Sequence, residues 1–219
     1  PGTVLHDGVG AICDTVMQAT SKVSLICIGP VPNIAAALAR QPGICGNAKF
    51  VGMHGSIRRG YLDAPKPMRE FNDKTHALAC RAVFEAQWEK VITPLDTCGN
   101  IILDGERFAR IREAATQQGP ASAPGICLDC HLAWFEAVKH WPILKNLNAQ
   151  NQSSVLYDLV AVYLGFAEDL LVMEELPILV TPDGKTVIND SGDSVRCATS
   201  WQDKQAFLDL VTERLAISG

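Results

Sequence analysis

The chain has 219 residues, 47% of them hydrophobic, and a formal net charge of −5 at pH 7. That composition is globular and sufficient for one α/β domain with a sizeable core. Both charge signs are interspersed without a basic block, which argues against a nucleic-acid surface, and no apolar run approaches the ~18 residues of a membrane span.

Val4 to Ala19 carries Val9, Ile12, Cys13 and Val16 on one stripe and predicts a helix. Val23 to Ile28 is a short continuous apolar run stopped by Gly29-Pro30, the pattern of a buried parallel strand. Asn33 precedes Ile34 to Ala39, a cap and helix. Lys49 to Met53 predicts a second strand, and His54 to Met68, rich in Gly, Pro and Arg, a loop. Lys74 to Glu89 predicts a helix with Leu78, Val83, Phe84 and Trp88. Val91 to Leu95 predicts a third strand. This alternation is the βαβ rhythm of an α/β fold, a mostly parallel open sheet with helices on both faces. Beyond it, Leu103 to Ala115 predicts a helix, Gln117 to Pro124 a small-residue linker, and Leu128 to Trp141 an apolar helix. Asn146 to Ser154 is polar and ends in a cap, and Leu156 to Ala167 is helical. Leu171 to Val180 and Lys185 to Ile188 flank the turn residues Pro182-Asp183-Gly184. Gln202 to Ala216 closes the chain as an amphipathic helix. No repeat or internal boundary is visible, so residues 1–219 are expected to form a single domain.

The eight cysteines do not read as a small disulfide scaffold in a chain of this length. Cys13, Cys27 and Cys80 fall within apolar patterns, where a free thiol acts as a small hydrophobe. A reducing, cytoplasmic compartment follows as the expectation. Cys127-Leu-Asp-Cys130-His131 has the spacing of a c-type haem attachment and of half a zinc site. A second cysteine pair at metal spacing is missing, which favours two ordinary cysteines near a helix start.

Chemistry concentrates at the ends of the predicted strands, where open α/β sheets hold ligands. Ile28-Gly-Pro-Val-Pro-Asn33 ends one strand and Gly52-Met53-His54-Gly55 the next, with His54 read as a surface loop histidine. In Met68-Arg-Glu70-Phe71-Asn72-Asp73, alternation along an extended segment would send Glu70 and Asn72 to one side and Phe71 to the other. A carboxylate beside a carboxamide can hold a polyhydroxylated ligand, and can equally be a solvated loop. Tyr157-Asp158 opens a helix, where an Asp has a sufficient structural reason in capping and the helix dipole. Its carboxylate beside a strand-end carbonyl also suits a hard cation such as Ca²⁺.

The order of these pieces resembles the carboxyl-terminal two-thirds of an inosine–uridine-type nucleoside hydrolase. The pieces are Gly29-Pro-Val-Pro-Asn33, Val51-Gly-Met53-His-Gly55, Glu70-Phe71-Asn72, Pro94-Leu-Asp96-Thr97 and Tyr157-Asp158-Leu-Val-Ala-Val162, spread over residues 1–165. The resemblance implies hydrolysis of the N-glycosidic bond of a ribonucleoside, with Ca²⁺ holding the attacking water and two ribose hydroxyls. It implies that Asp158 and the main-chain carbonyl of Ile28 bind the ion. It further implies that Asp158, Glu70 and Asn72 bind the ribose, that Met53 lines the sugar pocket, and that the chain forms a homo-oligomer. The partner is then a nucleoside or another ribosyl small molecule, not nucleic acid or membrane.

Three departures from the family pattern stand out. The acidic cluster Asp-x-Asp-x-x-x-Asp-Asp of the family's first strand is absent, since Asp7 and Asp14 lie in a different context. Tyr157 stands where the family commonly has a His that protonates the leaving base, and a phenol is a poorer acid at neutral pH. The stretch after Asn72 has become His76-Ala-Leu-Ala-Cys80. Two readings follow. In one, the chain is a fragment of a hydrolase, favoured by a start on Pro1. In the other, it is a degenerate, non-catalytic relative that binds a ribosyl ligand or serves in an assembly.

Overall fold

The computed structural model describes residues 2–141 and 148–217. Its elements, in order, are α1 Gly8–Gln18, β1 Val23–Cys27, α2 Pro32–Arg40, α3 Ile44–Asn47, β2 Ala48–Met53, α4 Phe71–Thr75, α5 Ala77–Glu85, β3 Glu89–Thr93, α6 Leu95–Cys98, α7 Gly105–Gln118, α8 Ala123–Val138, α9 Tyr157–Leu164, β4 Leu171–Val180, β5 Thr186–Ile188, β6 Asp193–Trp201 and α10 Lys204–Ala216. They group into two compact units, one of residues 1–99 and 157–201, the other of residues 100–156 and 202–219.

The first unit holds a six-stranded sheet of order β1-β2-β3-β6-β4-β5. The pairs β1/β2, β2/β3 and β3/β6 are parallel, and β6/β4 and β4/β5 are antiparallel. The fold is thus α/β, with the parallel half the chain pattern predicts and an antiparallel half beside it. Period-two alternation sends Phe50, Ile92, Val195 and Cys197 to one face. There they form a core with Cys13 and Val16 of α1, Ile34 and Ala37 of α2, and Val83 and Phe84 of α5. Val51 and Val91 point to the other face, where α9 packs on β1, β2 and β3 with Val160 and Ala161 buried. Phe50 is the hub of the first face: its ring stacks on Trp88 at 5.7 Å and meets Phe84 edge-on at 6.1 Å.

Several expectations are corrected. The first strand lies at the sheet edge with only Cys27 buried, because no described strand pairs with its outer side. The helix expected over 74–89 is two, broken at His76, whose φ of −138° and ψ of 61° lie outside the helical region. Residues 94–95 leave the third strand and open the short helix α6. Strand β6 was not read from the sequence. Its buried positions Val195, Cys197, Ala198 and Thr199 are mixed with Ser194, Arg196 and Ser200, a set of small and polar residues that an apolar search passes over. Residues 146–147 of the predicted polar stretch lie outside the described residues.

The second unit packs α7, α8 and α10 together. Arg107 of α7 pairs with Asp209 of α10 at 2.7 Å. Residues 101–104 run beside 152–156, with Ser153 N–H donating to Leu103 O at 2.8 Å and Leu156 N–H to Ile101 O at 2.8 Å. No helix among the described residues is long and apolar enough to cross a membrane.

Phe50 is fully buried at the centre of the aromatic cluster. Phe50→Ala is expected to lower stability by about 3–5 kcal/mol in urea denaturation followed by circular dichroism.

Candidate functional site

The carboxyl end of β2 and the starts of α4 and α9 lie in the first unit, with Met53, Glu70, Asn72, Tyr157 and Asp158 on or beside them. Met53 ends β2 and is buried. Asn72 donates from Nδ2 to the Met53 carbonyl at 2.9 Å, with the Met53 sulfur 3.5 Å away. This bond ties the first turn of α4 to the end of the strand. Ile28 lies one residue past β1 and is 47% exposed.

Glu70 and Asn72 do not alternate along an extended segment. Glu70 is the N-cap of α4, and its Oε2 accepts from the N–H groups of Asn72 at 2.8 Å and Asp73 at 3.1 Å. Glu is not among the usual capping residues, so no capping signal marks this helix start. Burial pushes the Glu70 carboxyl up to about 7, against the downward pull of the N–H groups of Asn72, Asp73, Phe71 and Gly55. Phe71 is swung outward, and its N–H donates to the Tyr61 hydroxyl at 2.8 Å.

Tyr61 packs edge-on against Tyr157, ring centroids 6.0 Å apart. Burial raises both phenols, and the charge of Glu70 raises them further. Tyr157 therefore stays protonated through the ordinary pH range, a hydrogen-bond donor and not a proton source. Asp158 is half-buried, with its carboxyl raised by burial. Burial raises the Cys98 thiol, and the charges of Glu70 and Asp158 raise it further.

Sequence reasoning missed several members. Tyr61 sits on a short 3₁₀ turn, Tyr61–Asp63, inside the predicted loop. Asp96 gathers that loop: its carboxylate accepts from the N–H groups of Ile57 at 2.9 Å, Arg58 at 2.7 Å and Arg59 at 3.2 Å. Arg58 then forms a two-pronged pair with Glu174 of β4 at 2.6 and 3.0 Å. His54, expected on the surface, is fully buried against Phe50, with ring centroids 5.4 Å apart. Burial drives its imidazole down to about 3. Beside it lie Asp73 and Cys80, both fully buried and both raised by burial.

The Cys127-x-x-Cys130-His131 motif lies in the second unit on α8. Both thiols are exposed and free. His131 accepts the N–H of Ser154 at Nδ1, 3.0 Å, which assigns the proton to Nε2, facing Ala149 O at 3.0 Å. Both ring nitrogens are thus committed to the main chain, so the residue is a tether for segment 149–154 and does not serve as a haem ligand.

Calcium takes six to eight oxygens. Glu70 and Asp96 already spend carboxylate oxygens on backbone N–H groups. Asp158 with the Ile28 carbonyl supplies too few, so the described residues do not by themselves fit the ion.

Acids, a carboxamide and tyrosines gather near the ends of the parallel strands of an α/β sheet, the place where such sheets generally hold ligands. The chain belongs to the inosine-uridine preferring nucleoside hydrolase family, whose profile matches residues 4–209. It is 33% identical over 102 residues to the non-specific ribonucleoside hydrolase RihC of Klebsiella pneumoniae, 46% of this chain and 33% of that relative. It is 32% identical over 111 residues to the pyrimidine-specific ribonucleoside hydrolase RihB of Escherichia coli, 50% of this chain and 34% of that one. The matched segments thus amount to about a third of the length of these curated relatives. In structure it is similar to the purine-preferring ribonucleoside hydrolase of Gardnerella vaginalis, with a TM-score of 0.76 at 20% identity over 99% of this chain and 67% of that one. The type III effector XopQ, solved with adenosine diphosphate ribose, gives a TM-score of 0.63 at 16% identity over 96% of this chain and 64% of that one. Likeness at these structural identities speaks for the fold.

The Arg58–Glu174 pair carries a pH signature. The Arg58 bond, then the Thr199 hydroxyl, holds the Glu174 carboxyl at about 2 instead of the ordinary 4.5. A depressed carboxylate contributes stability that is present above the ordinary value and lost as pH falls through the lowered one. A carboxyl-carbon NMR titration is expected to place the Glu174 midpoint near the lower figure, and Arg58→Gln to return it toward the upper.

Proposed function

We propose that these strand-end residues form a crevice that binds the ribosyl group of a ribonucleoside, and that the chain's reaction class is hydrolysis of the N-glycosidic bond. The observation that carries this is the meeting of Met53, Glu70, Asn72, Tyr157 and Asp158 around the ends of β2 and α9, in a chain whose family is shown. Asp158 is the half-buried acid left to accept hydroxyl hydrogen bonds, and in a crevice of reduced polarity such bonds are strong. Asn72, its Nδ2 fixed on Met53, presents its amide oxygen as a further acceptor. Glu70, locked by backbone N–H groups, holds the turn and adds negative potential where an oxocarbenium-like sugar would develop positive charge. Tyr157 donates a hydrogen bond to the base or sugar.

A bound calcium ion would supply an oriented, acidified water; Asp158 and the Ile28 carbonyl are the two ligands assigned to it, too few by themselves to hold it. One specific observation favours a second reading, a ribosyl-binding protein without hydrolysis: the raised Tyr157 phenol in place of an acid able to protonate a leaving base.

Calorimetry with inosine, uridine and free adenine tests the proposal. The ribonucleosides are expected to bind and the base alone to bind weakly or not at all. Asp158→Asn is expected to weaken ribonucleoside binding by about 10–100-fold, the loss of one or two hydrogen bonds to a charged group, with unchanged circular dichroism. Equal affinity for ribonucleoside and free base, or no effect of Asp158→Asn, contradicts it. Release of reducing sugar from inosine separates the hydrolytic reading from the binding one.

A further inference from the structure

His54, Asp73 and Cys80 come from three elements. His54 follows β2, Asp73 lies in α4, and Cys80 lies in α5 beyond the break at His76. All three are fully buried, and one donor atom from each lies within 4.8 Å of the other two. Cys80 Sγ is 3.1 Å from Asp73 Oδ1. Among the described residues, neither ring nitrogen of His54 nor Asp73 Oδ2 has a hydrogen-bond partner. Three unpaired polar atoms at one buried place are costly and need a physical reason.

We propose that His54, Asp73 and Cys80 form a binding site for a borderline-soft divalent transition metal of the zinc(II) class. One sulfur, one imidazole nitrogen and one carboxylate oxygen are zinc donors, and the sulfur and nitrogen make the set unsuited to calcium. Zinc bond lengths put tetrahedral neighbours about 3.3–3.7 Å apart, so the donors need to close by only about 1 Å from their present spread. Binding forms Zn–S, Zn–O and Zn–N bonds and releases two protons, one from the Cys80 thiol and one from the buried Asp73 carboxyl. A thiolate, a carboxylate and a neutral imidazole around Zn²⁺ then sum to zero charge, which suits a fully buried location. The ion would take up one His54 lone pair and a carboxylate oxygen of Asp73, leaving the other His54 nitrogen as an N–H, and a water would fill the fourth position.

The local chain makes room for the site. Phe50, Gly52 and His54 share one side of the strand, and a Cβ on Gly52 would lie 2.6 Å from the Phe50 ring and 2.9 Å from His54 Nδ1. The Asp73 N–H bonds the Glu70 carboxylate at 3.1 Å and the Cys80 N–H bonds the His76 carbonyl at 2.9 Å, so these two donors stand on hydrogen-bonded backbone. Their neighbours in sequence, Met53 and Asn72, belong to the crevice proposed above. The metal would therefore pin the end of β2 to α4 and α5. The inference stands apart from the ribosyl reading and survives its failure.

The test uses the full chain with the exposed pair removed as Cys127→Ser/Cys130→Ser, produced in zinc-supplemented medium and dialysed against a weak chelator. One zinc per chain is expected by elemental analysis. Adding Cys80→Ala or His54→Gln is expected to reduce it at least ~10-fold, with circular dichroism unchanged. Should those variants fail to fold, cobalt loading of the double serine variant decides. A thiolate-to-cobalt charge-transfer band with the intense visible absorption of tetrahedral Co²⁺ supports the site. Absence of that band, absence of stoichiometric zinc, or zinc that persists in folded Cys80→Ala overturns it, leaving a protonated Asp73 hydrogen-bonded within the cluster.

Discussion

The bond from the Asn72 carboxamide to the Met53 carbonyl holds the candidate site together. A strand-end carbonyl at the edge of a crevice must find a donor or water. Here the donor comes from the first turn of α4, and that turn is held in its own place by the Glu70 carboxylate capping Asn72 and Asp73. One exchange of hydrogen bonds therefore fixes where the strand stops, where the helix starts and which way Asn72 faces. Glycine at 184, with φ of +76°, lets the β4–β5 turn press on the same helix, since a Cβ there would lie 2.4 Å from the Lys74 Cα.

The loop between Met53 and Glu70 is secured from the other side. Asp96 gathers three successive N–H groups, Arg58 reaches Glu174, and Tyr61 accepts from Phe71. The loop that carries Tyr61 toward Tyr157 is thus bound to β4, α4 and α6. Such anchoring is what a binding crevice requires, because ordering a loose loop at the moment of binding would cost affinity.

Much of this was legible in the chain. The runs at 23–28 and 49–53 read as strands because they are short, largely apolar and followed by turn residues. The order of motifs gave the family. Other features were hidden for physical reasons. Strand β6 uses Ser, Thr, Cys and Arg, which match no apolar template. The break at His76 has no Gly or Pro to mark it, and shows only in that residue's non-helical backbone. His54 follows a Gly-rich strand end and reads as exposed, yet the space left by Gly52 draws it inward against Phe50. Tyr61 and Asp96 act through main-chain partners, which no side-chain pattern encodes.

Amide chemical-shift mapping with inosine tests whether the ends of β2 and α9 form one ribosyl site organised by Asn72 on Met53. Saturable shifts centred on Met53, Asn72, Tyr157 and Asp158 are expected, with residues of the α7/α8/α10 unit unmoved. Shifts centred elsewhere, or none at millimolar inosine, would contradict it.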